Sequence, residues 1–226
     1  MSTLEFLAPV AAGEDVVARS PMEALARDAG ARFEVRDGFN VAISYPAASY
    51  GETVSWCDTS HLPKLQLQGS SKAIDGAAGI KLQAGTALRR DGAWWCRLTN
   101  ERALVIGARP SELPDDVDVI DVTSVFASLT VSGPLARECF ARFCALDLRP
   151  AVTPVQALRP GSIGRQPGTL IREADERYLI LFGWAVAEYM WSVVADAAGH
   201  LGGGPIGVDQ LSERNMSHQS TPNTDA

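Results

Sequence analysis

One short segment of the sequence occurs twice, in altered form. Residues 55–69 read SWCDTSHLPKLQLQG, and residues 119–133 read VIDVTSVFASLTVSG. A shift of 64 positions places Ser60 on Ser124 and lays the two closing glycines on each other, and each copy has an aspartate just before its Ser/Thr pair. The alternation that follows is typical of a β-strand. Each copy is therefore predicted to be a polar turn, a strand and a glycine stop.

The repeat has two interpretations. If it reflects duplication, the chain builds two half-domains related by pseudo-symmetry, and a ligand is expected where the halves meet. If it arises by coincidence, as short strand-plus-glycine patterns do, the two segments have no structural relation. The topology around Ser60 and Ser124 distinguishes these interpretations.

The composition argues against several classes of protein. The 226 residues carry a net charge of −7, which argues against binding to nucleic acid or to an anionic membrane surface. No apolar run has the length of a membrane span. The first residues contain an early acid and no basic flank, which argues against a secretory signal. We therefore expect a cytoplasmic protein that contacts neither nucleic acid nor membrane.

The four cysteines, at positions 57, 96, 139 and 144, do not form a metal or redox pattern. None belongs to a Cys-x-x-Cys pair or has the spacing to a histidine that zinc sites use. Reduced thiols used as small core residues are typical of this pattern in the cytoplasm. We expect no metal site and no catalytic thiol.

Hairpins outnumber strand–helix–strand units along the chain. Ser20, Pro21 and Glu23 form the pattern of a capping box that begins a helix. Strand pairs are predicted within residues 31–45, 94–107, 117–132 and 169–182, and helices at 71–78, after 134 and at 186–198. This order predicts an α+β fold whose antiparallel sheets carry helices on one face. A leader at 1–19 and a disordered tail at 212–226 are expected to flank it.

Several segments resemble a known superfamily. Four of them, at residues 20–32, 38–39, 45–46 and 57–69, resemble the N-terminal signature of the aminomethyltransferase (T-protein) of the glycine cleavage system, as does the closing GGGPIG at 202–207. Three others are more similar to the gamma subunit of heterotetrameric sarcosine oxidase, at residues 121–134, 145–150 and 178–198. Together these segments cover roughly residues 20–211.

This resemblance implies a fold and a ligand. The fold is a folate-binding, aminomethyltransferase-like architecture of two pseudo-symmetric antiparallel-sheet units with helices, at about residues 20–110 and 111–211, around a central cavity. The ligand of the family is tetrahydrofolate, to whose N5 family members transfer a one-carbon unit. The C-terminal barrel domain of T-proteins is expected to be missing.

The chain departs from the family's acidic pattern. T-proteins carry paired aspartates after the first strand, whereas the corresponding residues 75–88 contain no paired acids. T-proteins hold the pterin with a glutamate where this chain has Leu179, which cannot accept a hydrogen bond from a pterin amide. Asp58 and Asp121 lack acid partners and are expected to accept hydrogen bonds from local backbone amides. The resemblance therefore implies a domain without its own catalytic acid.

The resemblance places five residues as candidates for folate contacts, namely His61, Leu62, Glu176, Tyr178 and Trp184. His61 and Leu62 match the His-Met/Leu pair in the Ser-His-Met/Leu motif of the family. The aromatic faces of Tyr178 and Trp184 suit stacking on a flat pterin.

Each of these residues also has a structural explanation. His61 can be a turn histidine that bonds the backbone, and Leu62 can be a core residue. Glu176 flanks a predicted hairpin turn together with Glu173, where exposure to solvent is the simpler expectation. The two aromatic residues can fill an interface between sheet and helix.

Two functions from different classes follow. The first is a gamma-type subunit of a sarcosine-oxidase-like, folate-linked complex that oxidises (N-demethylates) amines. Such a subunit would be structural or bind folate weakly, and flavin would be bound only in partner flavoprotein subunits. The second is a stand-alone tetrahydrofolate-dependent aminomethyl or one-carbon transferase. Binding of tetrahydrofolate by the isolated chain favours the second, and association with flavoprotein subunits favours the first.

Overall fold

A computed structural model describes residues 16–46, 53–110 and 113–212. The elements are β1 (Ala18–Arg19), α1 (Glu23–Asp28), β2 (Arg32–Arg36), β3 (Phe39–Ser44), β4 (Ser55–Asp58), β5 (Lys64–Gly69), α2 (Ser71–Ala78), β6 (Ala87–Arg90), β7 (Ala93–Thr99), β8 (Arg102–Ile106), β9 (Val117–Asp121), β10 (Phe126–Ser132), α3 (Ala136–Ala141), β11 (Leu158–Ile163), β12 (Gln166–Ala174), β13 (Arg177–Gly183), α4 (Ala187–Gly199) and β14 (Gly204–Pro205). Most of the expected leader and nearly all of the expected tail lie outside the described residues.

The strands form three sheets. A small hairpin sheet has the order β1-β3-β2, the first large sheet β6-β7-β8-β5-β9, and the second large sheet β11-β12-β13-β10-β4-β14. Neighbouring strands are antiparallel apart from the short β1 and β14, which run parallel to β3 and β4. The prediction of a mixed α+β fold built on antiparallel sheets is confirmed.

The two copies of the repeat pair with each other. Strand β4 of the first copy lies against β10 of the second, with Asp58 opposite Leu129. Strand β9 of the second copy lies against β5 of the first, with Asp121 opposite Leu65. The first strand of each copy therefore belongs to the sheet that contains the second strand of the other copy. The order of the remaining strands is also the same, because β6-β7-β8-β5-β9 matches β11-β12-β13-β10-β4 position by position.

The turns of the two copies repeat the same hydrogen bonds. The carboxylate of Asp58 accepts from the amide of Ser60, and that of Asp121 from the amide of Thr123, both at 2.9 Å. The Ser60 hydroxyl then accepts from the amide of Ser128 at 3.1 Å, as the Thr123 hydroxyl does from that of Lys64 at 3.0 Å. The structural counterpart of Ser60 is therefore Thr123 and not Ser124, because the second turn is one residue longer.

The closing glycines of the two copies share one steric reason. A Cβ on Gly69 would lie 2.9 Å from the carbonyl oxygen of Asp116, and one on Gly133 would lie 2.6 Å from that of Thr53. Both contacts are shorter than carbon and oxygen tolerate without movement of the backbone. The chain just before each partner strand therefore passes too close to admit any other residue at the glycine stop.

The two sheets also share a β-bulge. The register shifts between Arg97 and Thr99 in the first sheet and between Arg172 and Ala174 in the second. The arginine before each bulge is buried, and its guanidinium binds nearby carbonyl oxygens and one aspartate. A bulge leaves one residue unpaired and re-aims its side chain. The two re-aimed residues are Leu98 in the first sheet and Glu173 in the second.

The two large sheets pack face to face. The layer between them contains Trp94, Leu104 and Ile106 from the first sheet and Leu179 and Leu181 from the second. Helix α2 covers the outer face of the first sheet, and α3 and α4 cover that of the second. None of the helices within the described ranges has the length and apolarity needed to span a bilayer.

The predicted capping box does not form. The hydroxyl of Ser20 accepts from the amide of Met22 and donates to the carboxylate of Asp58, while Glu23 binds Arg27 at 2.8 Å.

Strands β4, β6 and β11 are also absent from the sequence prediction. Neither β4, whose residues are buried on both faces, nor β11, which contains a proline, shows the apolar alternation from which a strand is predicted.

Candidate functional site

A cavity of about 270 Å³ lies between the sheets and is lined by residues from both. We call it the charged cavity. Its walls are the β4–β5 turn, the inner face of β7, the bulge of β12 and the chain after β14, and they include His61, Leu62, Arg89, Trp94, Thr130, Glu173, Arg177, Val208 and Leu211. The two candidate residues from the turn, His61 and Leu62, are therefore brought together at one site.

Glu173 is the carboxylate of this cavity. The indole N–H of Trp94 donates to one of its oxygens at 2.7 Å, and the guanidinium of Arg177 lies 3.1 Å from the other. The guanidinium of Arg89 lies 5.7 Å from the centre of the Trp94 ring. These contacts balance the negative charge of Glu173 and fix the orientation of its side chain. The carboxylate oxygens retain lone pairs that can accept from an N–H group of a ligand. The arrangement suits a flat molecule with N–H groups on one edge.

The β4–β5 turn is held from both sides. The fully buried ammonium of Lys64 donates to the carbonyl oxygens of Ser60 and Leu62, each at 3.0 Å. Asp58 anchors the start of the turn through Ser20 and Ser60. Burial lowers the pKa of Lys64 to about 8 and raises the pKa of Asp58. The turn therefore presents His61 and Leu62 in one fixed conformation.

His61 is a neutral imidazole at neutral pH. Burial is the largest cause that lowers its pKa, to about 4, and the positive charges of Lys64 and Arg36 lower it further. A neutral ring can donate or accept one hydrogen bond and adds no charge to the cavity.

The other three candidates lie elsewhere. Tyr178 is buried on the opposite face of the second sheet, where its ring contacts Phe140 with centroids 5.3 Å apart. Trp184 packs against that same outer core. The side chain of Glu176 is exposed in the β12–β13 turn, and its carbonyl accepts from the amide of Gly133. None of the three lines the charged cavity.

Neither of the two positions compared above with the acids of T-proteins places a carboxylate in the charged cavity. Asp75 lies on α2 and binds Arg97, on the outer side of the first sheet. Leu179 is buried in the layer between the sheets. Among the residues that the structure describes, Glu173 is the one carboxylate that lines the charged cavity. The described lining of the cavity therefore contains one ion-paired carboxylate and no pair of acids.

A second cavity, of about 640 Å³, repeats the first at the equivalent place in the other sheet. We call it the apolar cavity. Pairing registers relate the two linings: Leu98 takes the place of Glu173, Thr169 that of Trp94, Gln66 that of Thr130, Phe126 that of Leu62, and Leu181 that of Ile106. The two cavities thus differ in their side chains on a shared backbone plan.

Sequence reasoning did not find Arg89, Trp94, Glu173 or Arg177 as residues of one site. Glu173 was expected in solvent with Glu176, and its inward direction depends on the bulge. A one-residue bulge reverses the face of a side chain and leaves no mark in the apolar pattern. The matching bulge at Leu98, after a buried arginine in the same place, is the signal that could have revealed it.

No group of three or more His, Cys, Asp or Glu residues in the described parts of the chain could hold a metal ion. The four cysteines are free thiols, and burial raises the pKa of the thiols of Cys57, Cys96, Cys139 and Cys144.

Comparison with known proteins places the fold. No protein-family model matches the chain, and no curated protein matches it in sequence. The structure is similar to heterotetrameric sarcosine oxidase from Corynebacterium sp. U-96 in complex with pyrrole 2-carboxylate, with a TM-score of 0.63 and 21% identity over 79% of this chain and 93% of that chain. It is also similar to glycine cleavage system aminomethyltransferase T from Bartonella henselae, with a TM-score of 0.66 and 14% identity.

The second match covers 85% of this chain and 60% of the aminomethyltransferase, so the chain spans about three fifths of that protein. The resemblance to both proteins that the sequence motifs predict is therefore confirmed at the level of the fold.

Proposed function

We propose that the protein is a gamma-type subunit of a sarcosine-oxidase-like, folate-linked complex that N-demethylates amines. In this role it supports flavoprotein subunits in the cytoplasm, carries no flavin, and contributes no catalytic acid of its own. The similarity to a chain of heterotetrameric sarcosine oxidase, which it matches over 93% of that chain, supports this role.

The observation that carries the proposal is the state of Glu173. The carboxylate of Glu173 already accepts from the Trp94 indole and pairs with Arg177, so each of its oxygens has a protein partner. General acid–base catalysis needs a group that is placed to reach the reacting proton. Glu173 is instead held by structural contacts, and His61 nearby is neutral with its pKa lowered to about 4.

The charged cavity fits part of a folate. The face of Trp94, the carboxylate of Glu173 and the apolar Leu62 are the groups that would hold a pterin ring, with its N–H edge towards Glu173. The volume of about 270 Å³ lies below the range of ~300–1,000 Å³ of most ligand pockets. We therefore propose that tetrahydrofolate binds weakly or not at all, and that the tail of such a ligand would lie outside.

The shared connectivity, turns and bulges of the two sheets support a further part of the proposal. Residues 20–211 are proposed to be one aminomethyltransferase-like domain of two pseudo-symmetric half-units that exchange their first strands. Of the folate contacts expected from sequence, we retain His61 and Leu62, and we add Trp94 and Glu173.

Isolation of the tagged chain from its source organism tests the subunit role. Flavoprotein subunits are expected to co-purify in fixed proportion, and amine-dependent reduction of their flavin should be lost when the chain is deleted. A chain that purifies without any flavoprotein contradicts the proposal.

The alternative is a stand-alone tetrahydrofolate-dependent one-carbon transferase, which the similarity to glycine cleavage system aminomethyltransferase T favours. Calorimetric titration of the isolated chain with tetrahydrofolate separates the two. The subunit role predicts a dissociation constant near ~1 mM or weaker, about −4 kcal/mol. Binding near ~1 μM, about −8 kcal/mol, would support the transferase.

A further inference from the structure

The outer edge of strand β4 is covered by the chain itself. The amides of Gly204 and Ile206 donate to the carbonyl oxygens of Val54 and Trp56 at 3.3 and 2.8 Å, which adds β14 as a parallel strand. The chain then continues over the charged cavity, where Val208 and Leu211 form part of the wall. One extended segment therefore covers the sheet edge and lines the cavity beside it.

Strand β9 is the counterpart of β4 in the other sheet, and its outer edge is open. Among the described residues, no strand pairs with it on that side. Val119 and Ile120 are each 44% exposed, whereas their counterparts Trp56 and Cys57 are 4% and 1% exposed. Two exposed apolar residues on an unpaired edge form a template for another strand.

The backbone of β9 is oriented to accept such a strand. The amide of Val122 donates to the carbonyl of Lys64 at 2.9 Å, so alternate residues towards the start of β9 bond to β5. Val119 falls between these residues and directs its N–H and C=O groups outward. Its counterpart Trp56 uses the same outward carbonyl to bind β14.

The apolar cavity lies next to this edge. Ile120 stands opposite Gln66, which lines the cavity, and opposed residues share one face of a sheet. Among the described residues that line the apolar cavity, no chain segment takes the place that Val208 and Leu211 have in the wall of the charged cavity. Its volume of about 640 Å³ and the exposed side chain of Leu98 at its wall suit an apolar anchor.

The charged residues along the outer edge of β9 indicate which kind of segment would bind there. Asp115, Asp116 and Asp118 are exposed around β9, and no ion pair involves them within the described residues. Arg109 binds Asp121, at the end of β9, at 2.7 Å. A segment with Lys or Arg beside an apolar residue would complement this surface.

We propose that β9 and the apolar cavity bind an extended basic segment of the flavoprotein partner, which adds to β9 as a strand and places an apolar side chain in the cavity. The inference rests on the proposed function for the existence of that partner. It assigns the partner the place that β14 and residues 206–212 take on the other half of the molecule.

Three variants of the full chain, tagged and isolated from the source organism, test the inference. Val119→Pro removes an outward N–H and keeps the ladder to β5, because proline is tolerated on edge strands. Leu98→Asp places a charge at the cavity wall. Val35→Pro is the matched control, since Val35 is an exposed valine on β2, the edge strand of the hairpin sheet. Thermal unfolding of each isolated variant checks the fold.

The V119P and L98D variants should each co-purify with about one tenth or less of the flavoprotein that wild type retains. A tenfold decrease corresponds to a loss of about 1.4 kcal/mol of binding free energy. V35P should retain the wild-type amount. Flavoprotein should also dissociate as salt rises towards ~1 M, where the Debye length falls to about 3 Å. Hydrogen exchange of the wild-type complex should show protection of the Val119 amide that the isolated chain lacks.

Wild-type retention by both V119P and L98D, or a β9 amide that exchanges equally in complex and isolated chain, overturns the inference and leaves the subunit role intact. Should V119P fail to fold, L98D and the exchange measurement decide. Absence of flavoprotein from the wild-type preparation overturns the subunit role, and the inference with it.

Discussion

The two cavities between the sheets share a backbone and differ in chemistry. In the second sheet the residue re-aimed by the bulge is Glu173, which meets Trp94 and Arg177. In the first sheet it is Leu98, which has Thr169 and Gln66 as neighbours in the lining. The strand edges differ in the same way, because β4 is covered by β14 and β9 is open among the described residues.

This comparison separates the features that the two sheets share from those in which they differ. The exchange of first strands, the Asp turns, the glycine stops and the buried arginines recur in both sheets. The charges of the cavities do not recur. A shared scaffold predicts equal effects from equivalent core changes and unequal effects from equivalent cavity changes.

The largest effect is expected from the buried arginines. R97M and R172M each leave at least two carbonyl oxygens without the guanidinium that donates to them, and each hydrogen bond to a charged group contributes about 1.5–3 kcal/mol. We expect the two variants to lower the free energy of unfolding by similar amounts, measured by urea denaturation. A large loss in one and none in the other would break the equivalence of the two bulges.

A slightly smaller effect is expected from His61, since the second turn has no histidine. Its pKa is lowered from 6.5 to about 4 in the folded chain, so the unfolded chain takes up the proton first as pH falls. Between pH 6.5 and about 4 this residue should remove about 3 kcal/mol of stability.

The measurement compares the pH dependence of urea denaturation for wild type and His61→Gln. The variant should lose this part of the slope. His200→Gln, which removes an exposed histidine, serves as the control. Parallel wild-type and H61Q curves would show that His61 does not feel the burial described.

The smallest effect compares the two bulge residues directly. Glu173→Leu removes the carboxylate that accepts from the Trp94 indole and pairs with Arg177, and it should cost about 2 kcal/mol, since hydrogen bonds to charged groups contribute about 1.5–3 kcal/mol. Leu98→Glu should change stability by less than about 0.5 kcal/mol, because its side chain reaches solvent. Equal costs in thermal unfolding would remove the distinction between the cavities.

Much of the fold was accessible from sequence, and less of the site was. The alternation around Leu65 and Leu129 identified β5 and β10, because one face of each strand is buried against helices. Strand β4 escaped because its residues are buried on both faces and show no alternation. The inward direction of Glu173 escaped because a bulge is specified by packing around Arg172 and not by local pattern.

Because each repeat copy supplies a strand to the sheet of the other, we expect the two large sheets to unfold as one cooperative unit. Native-state hydrogen exchange of the central strands β5 and β10 measures this cooperativity. The most protected amides of both strands should open only with global unfolding, with free energies that agree within about 1 kcal/mol. A first sheet that opens several kcal/mol below the second, as an independent unit, would contradict it.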